Sequence, residues 1–86
     1  MPMHAIKVSE KTMDKLQFSL WSISKFDVAA MVNENPRGLY FIPEWSESLD
    51  ANWAVRWALV PPDFFEEHFE YDKDKIETEL VRITRK

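Results

Sequence analysis

Residues Gly38 to Val60, GLYFIPEWSESLDANWAVRWALV, hold three of the four tryptophans of this 86-residue chain and two dense apolar runs. Leu39, Phe41 and Pro43 fall on one side of an extended chain, and Tyr40, Ile42 and Glu44 on the other. In the second run Trp53, Val55, Trp57 and Leu59 share a face against Ala54, Arg56, Ala58 and Val60. Period two with aromatic and β-branched residues is the signal of a strand. Pro43 cannot donate to a ladder, so it marks an edge or the strand's end. The spacing predicts a hairpin at the centre of a small sheet, with Ser46 to Asn52 as a long polar loop.

The second run also reads as a helix. Over 47–60, Leu49, Trp53, Trp57 and Val60 recur at helical spacing. Ala51, Ala54 and Ala58 favour that state, Ser46 supplies a cap, and Pro61-Pro62 a stop. The strand is the reading carried forward.

Eighty-six residues form one domain, 1–86. A chain of this size buries only about 60–65% of its unfolded surface, so its stability is marginal. There is no cysteine to staple it. Twelve aromatics compensate, four Trp, two Tyr and six Phe, each able to bury roughly 150–250 Å². No run approaches the ~20 apolar residues of a membrane span, and MPMHAIKVSEK lacks a signal-peptide core. A cytoplasmic protein with no membrane association is expected. The single glycine argues against glycine-rich nucleotide loops.

Net charge is −4, unevenly spread. Residues 44–79 carry eleven acids against Arg56, Lys73 and Lys75, a local −8. Residues 1–43 are close to neutral, and the tail holds Arg82, Arg85 and Lys86. An acidic half repels a phosphate backbone and attracts basic surfaces. It also keeps an aromatic-rich domain soluble.

Along the chain, His4–Val8 reads as a first strand. Ser9 caps a helix, with Val8 and Met13 placed as a hydrophobic staple. Met13, Leu16, Leu20 and Ile23 form one helical stripe. That stripe fails at Asp27, where Ser24 starts a second short helix through Val32, with Ile23 and Val28 as its staple. The first helix is therefore broken near Ser24. Asn33 to Gly38 ends helix and begins turn. Pro61-Pro62-Asp63 opens another helix, with proline at its first position. At about 100° per residue, Phe64, His68, Phe65 and Phe69 lie near 0°, 40°, 100° and 140°. Asp63, Glu66, Glu67 and Glu70 take the rest of the circle. Ile76–Ile83 reads as a last strand. The order predicts an α+β fold: a small antiparallel sheet with helices on one face in the βαββαβ, ferredoxin-like arrangement. That arrangement hosts many functions and argues for none.

No residues form a catalytic constellation. His68 sits between acids in sequence, but on a helix Glu66 and Glu67 point away from its arc, so it reads as the edge of an aromatic core face. His4 has no neighbouring partner in sequence. Two histidines, no cysteine and no HxxxH spacing argue against zinc. Asp72, Asp74 and Glu77 lack calcium-loop spacing. No serine stands in a nucleophile-elbow context. No metal, cofactor or enzymatic activity is expected.

Trp53 and Trp57 read as core. Trp45, at a strand's end before an acidic loop, reads as a lid on the core or as an interface anchor. An aromatic ringed by acids suits a basic protein surface, the ring for area and the carboxylates for steering. The expectation is a small acidic, non-enzymatic module that attaches to a larger protein with a basic surface and inhibits or modulates it. Its scale is that of phage and mobile-element accessory proteins. The binding residues named on this reading are Trp45, Glu47 and Asp50 of the loop with Glu66, Glu67 and Glu70 of the short helix. The alternative is a single-stranded nucleic-acid binder using sheet aromatics, though NWAVRWALV lacks the basic surroundings such a site needs. An exposed edge strand or sheet face would also permit a homodimer.

Overall fold

The computed structural model describes residues 3–43 and 57–86. Trp45, Glu47, Asp50, Trp53 and the loop 46–52 lie outside the described residues.

Five strands, β1 (Met3–Val8), β2 (Leu39–Ile42), β3 (Ala58–Val60), β4 (Phe69–Glu70) and β5 (Val81–Arg85), form one antiparallel, curled sheet. Its order is β3-β2-β1-β5-β4. Ile6 stands opposite Phe41, Phe41 opposite Leu59, and Ala5 opposite Val81. Ala58–Val60 is a strand paired with β2, so a helix running through Val60 is excluded.

The ferredoxin-like order is not found. A split βαβ unit keeps its first two strands parallel and apart, whereas β1 and β2 are antiparallel neighbours with Val8 opposite Leu39. That register puts the end of β1 beside the start of β2. The connection between them must leave and return at the same end of the sheet, which one straight helix cannot do. The first helix ends at Met13 rather than near Ser24, and the irregular run from there to Ser24 supplies the reversal. α1 (Glu10–Met13) is a single turn, a 3₁₀ turn follows at Phe18–Trp21, and α2 (Lys25–Glu34) leads back. Ser24 is the N-cap of α2, through its backbone carbonyl, which accepts from Val28 N–H at 3.1 Å. Thr12 fixes the first turn: its hydroxyl accepts from Ser9 N–H at 2.9 Å and donates to the Lys7 carbonyl at 3.0 Å.

Helices cover both faces of the sheet, not one. Ile6, Val8, Leu39 and Phe41 pack under α1, the 3₁₀ turn and α2 with Met13, Phe18, Ile23, Val28 and Val32. Ala5, Tyr40, Ile42, Val60, Val81 and Ile83 pack against Phe65, Phe69 and Ile76 on the opposite face. There the cover is α3 (Pro62–His68). The cause is β2 itself: Leu39, Tyr40, Phe41 and Ile42 are all large, apolar and buried. A strand apolar on both faces needs a layer on each. Beyond β2, the alternation in β3 is regular, with Trp57 and Leu59 toward α2's layer and Ala58 and Val60 toward α3's.

Two further boundaries differ from the sequence reading. The last strand is Val81–Arg85 rather than 76–83, and Ile76 is the buried anchor of a turn whose carbonyl accepts from Lys7 N–H at 2.9 Å. α3 ends at His68, so Phe69 and Glu70 belong to an edge strand. No described helix is long and apolar enough to cross a membrane.

Candidate functional site

Of the expected binding surface, the part on the short helix falls on the described residues, and the geometry of α3 follows from its first two residues. Pro61 sits at the N-cap in extended conformation and Pro62 at the first helical position, where the missing N–H costs nothing. Phe65 then points into the core, fully buried and stacked on Tyr40. That orientation sets every other side chain of the helix.

Phe64 lies half-buried at the surface and stacks on His68, ring centroids 4.2 Å apart and planes 19° from parallel. His68 Nδ1 lies 2.9 Å from the Phe64 carbonyl oxygen. A carbonyl only accepts, so Nδ1 carries the proton and the ring is held as a plate on Phe64. Its role at the edge of an aromatic face is as the sequence suggests. Glu67 is exposed, about 100° around the helix from His68.

The three expected acids separate. Glu66 turns to the far flank of the helix. There it accepts a hydrogen bond from the Tyr71 hydroxyl and lies 3.7 Å from Lys73 Nζ. The Tyr71 hydroxyl is also 3.4 Å from that of Tyr40. Burial first, and then the bonds to Glu66 and Tyr40, push the Tyr71 phenol above its ordinary range. Glu67 stays in solvent. Glu70 is exposed on β4, opposite Thr84, and alternates away from the buried Phe69.

The charge map in space is less segregated than along the chain. Arg37 reaches across to Asp63 at 2.8 Å, and Lys7 reaches Glu77 at 3.0 Å. Hydrogen bonding to Arg37, then its charge, holds the Asp63 carboxyl below the usual range. β5 lays the basic tail beside α3. Yet Lys86 gives its amide to the His68 carbonyl at 3.0 Å and its ammonium to the Glu66 carbonyl at 2.7 Å, neither to a carboxylate. Glu67 and Glu70 form no ion pair with any described residue.

Other features carry less chemistry. A cleft of about 790 Å³ between α1 and α2 is lined by Lys7, Lys11, Ala29, Ala30 and Arg37. Two of those cations are already answered, by Glu77 and Asp63. Among the described residues no group of three His, Asp or Glu is placed to hold a metal ion. His4 lies in β1 opposite Arg82.

Leu20, placed by the sequence on the apolar stripe of the first helix, is 70% exposed, and Phe26, which the sequence reading passed over, is 88% exposed. The signal is available for Phe26: it stands about 160° around α2 from Val28 and about 120° from Val32. Of the tryptophans read as core, Trp57 is half-buried and rests on Phe41, centroids 6.2 Å apart. Comparison with protein-family models, curated proteins and solved structures gives no match.

Proposed function

We propose that the protein is a small, non-enzymatic protein-binding module that attaches to a larger partner through a basic surface on that partner and modulates it. One observation carries this. Glu67 and Glu70 remain exposed and without an ion pair to any described residue, although the fold brings the basic tail alongside. Carboxylates left uncompensated at the surface raise the local concentration of a cationic partner and speed its docking.

For the nucleic-acid alternative, few rings of the described sheet strands stand open. Tyr40 and Phe41 are buried under a helical layer on each face, and Trp57 is half-covered. Stacking on bases needs rings open to solvent.

The test is association of a partner isolated from a host lysate, compared for wild type and Glu67→Lys/Glu70→Lys. Slower association in the variant, with weaker salt dependence and an unchanged melting temperature, supports the module. Tighter binding of single-stranded DNA or RNA than of any protein, strengthened further by the added lysines, overturns it.

A further inference from the structure

We infer that the cleft between α1 and α2 binds a carboxylate carried on an apolar body, with Lys11 pairing the charge and the wall of α2 taking the body. The cleft belongs to the helical layer across the sheet from α3. It therefore goes beyond the acidic surface and does not depend on it.

Space comes first. The cleft holds about 790 Å³, within the roughly 300–1,000 Å³ that small-ligand sites occupy. Ala29 and Ala30 keep it open: both are exposed on α2 and both line it, so a longer side chain at either would begin to fill it. The floor is apolar. Met13 of α1 and Val32 of α2 line the cleft and are 7% and 8% exposed. Both are anchored in the core beneath α1 and α2. A ligand body laid over them and over the two alanines is driven there by loss of apolar surface from water.

Charge selects the head group. Lys7, Lys11 and Arg37 line the cleft against two carboxylates, Glu10 and Glu77, so the lining is net positive in a chain of net charge −4. Lys7 is committed to Glu77 at 3.0 Å, and Arg37 is turned to Asp63 at 2.8 Å. Lys11 forms no ion pair with any described residue. The side-chain amide of Asn33, which lines the cleft from α2, likewise bonds to no described residue. One uncommitted ammonium and one uncommitted amide suffice for a single carboxylate and are too few for a polyphosphate. A free apolar acid and the C-terminus of a peptide ending in an apolar residue present this same chemistry.

The experiment is an amide-resolved NMR titration of the full chain with octanoate and with N-acetyl-leucine, each beside its uncharged amide. Both acids should shift Lys11, Ala29, Ala30 and Asn33, and bind about two- to fivefold tighter than their amides, the gain of one exposed ion pair. The tighter of the two acids then names the source, free acid or peptide end. Lys11→Met keeps the stem and removes the charge, so it should erase the difference between acid and amide. Ala29→Leu, a helix-compatible change at an exposed position, should weaken both acids about fivefold or more with an unchanged melting temperature. Equal affinity for acid and amide in wild type, or a preference that survives Lys11→Met, overturns the carboxylate assignment. Undiminished binding by Ala29→Leu overturns the site, as do shifts centred outside the cleft or no shifts with either acid.

Discussion

Tyr40 and Phe65 lie face to face, ring centroids 4.1 Å apart and planes 3° from parallel. One ring belongs to β2 and the other to α3, so this stack fastens the second helical layer to the sheet. Phe65 is fully buried and also meets Phe69 and Tyr71. Phe65→Ala should cost about 3–5 kcal/mol, a large share of the roughly 5–15 kcal/mol that holds a domain together. Chemical denaturation measures it. Trp57→Ala, at a half-buried ring, should cost distinctly less, and equal losses would contradict the ranking.

Tyr71 yields a prediction in alkaline solution. Its phenol is raised in the folded state, chiefly by burial and then by its bonds to Glu66 and Tyr40. A raised phenol means that the fold favours the neutral form. The stabilisation is therefore fully present below the unfolded value, ~10, and drains away as pH rises beyond it. Tyr71→Phe should lose about 1 kcal/mol at neutral pH and show a shallower decline in stability above pH ~10. Ultraviolet titration of wild type should show one phenolate forming late, and the variant should lack it.

Thr12 is a buried polar residue with both roles of its hydroxyl in use. Thr12→Val keeps the shape but strands the Ser9 amide and the Lys7 carbonyl. An expected loss of about 1–3 kcal/mol follows from leaving such groups unsatisfied. Thr12→Ser should recover most of it in the same melting experiment, since a serine hydroxyl serves both partners.

Gly38 has φ of +83°, and a Cβ built there would sit 3.2 Å from Lys7 Cε and 3.4 Å from the Val8 carbonyl oxygen. Gly38→Ala should destabilise by about 1–2 kcal/mol, the left-handed penalty for a side chain. Lys7 is flexible at its far end and will yield, so the backbone term should dominate. A neutral substitution would mean that the turn relaxes out of the left-handed region.

Much of the layer over β2's first face was legible from local chemistry. The stripe Met13, Leu16, Leu20 and Ile23 does not form one helix, since α1 ends at Met13 and Leu20 is exposed, but Ser24 as a cap and the flanking Ile23 and Val28 follow from helical arithmetic and occupy those places. The alternation of residues 57–60 was legible for the same reason. Strand order was not, because pairing depends on where a connection returns, and period alone does not encode direction. The two-sided cover was signalled by LYFI, where alternate residues are apolar on both faces, but a search for alternation passes over a run without polar members. In the candidate site, the plate of Phe64 and His68 follows from their four-residue spacing. The separation of Glu66 from Glu70 did not, since it required knowing that α3 stops at His68 and a strand begins.

β1 lies in the middle of the sheet, held by β2 on one side and β5 on the other. During synthesis the strand made first therefore waits for the strand made last. The ribosome releases β1, α1, α2 and β2 as a contiguous stretch able to close one layer early. The opposite side of β1 keeps a row of bare amides and carbonyls until residues 81–85 emerge. A nascent chain stalled before that point exposes a templating edge, and its hazard is capture by a neighbouring polysome rather than simple unfolding.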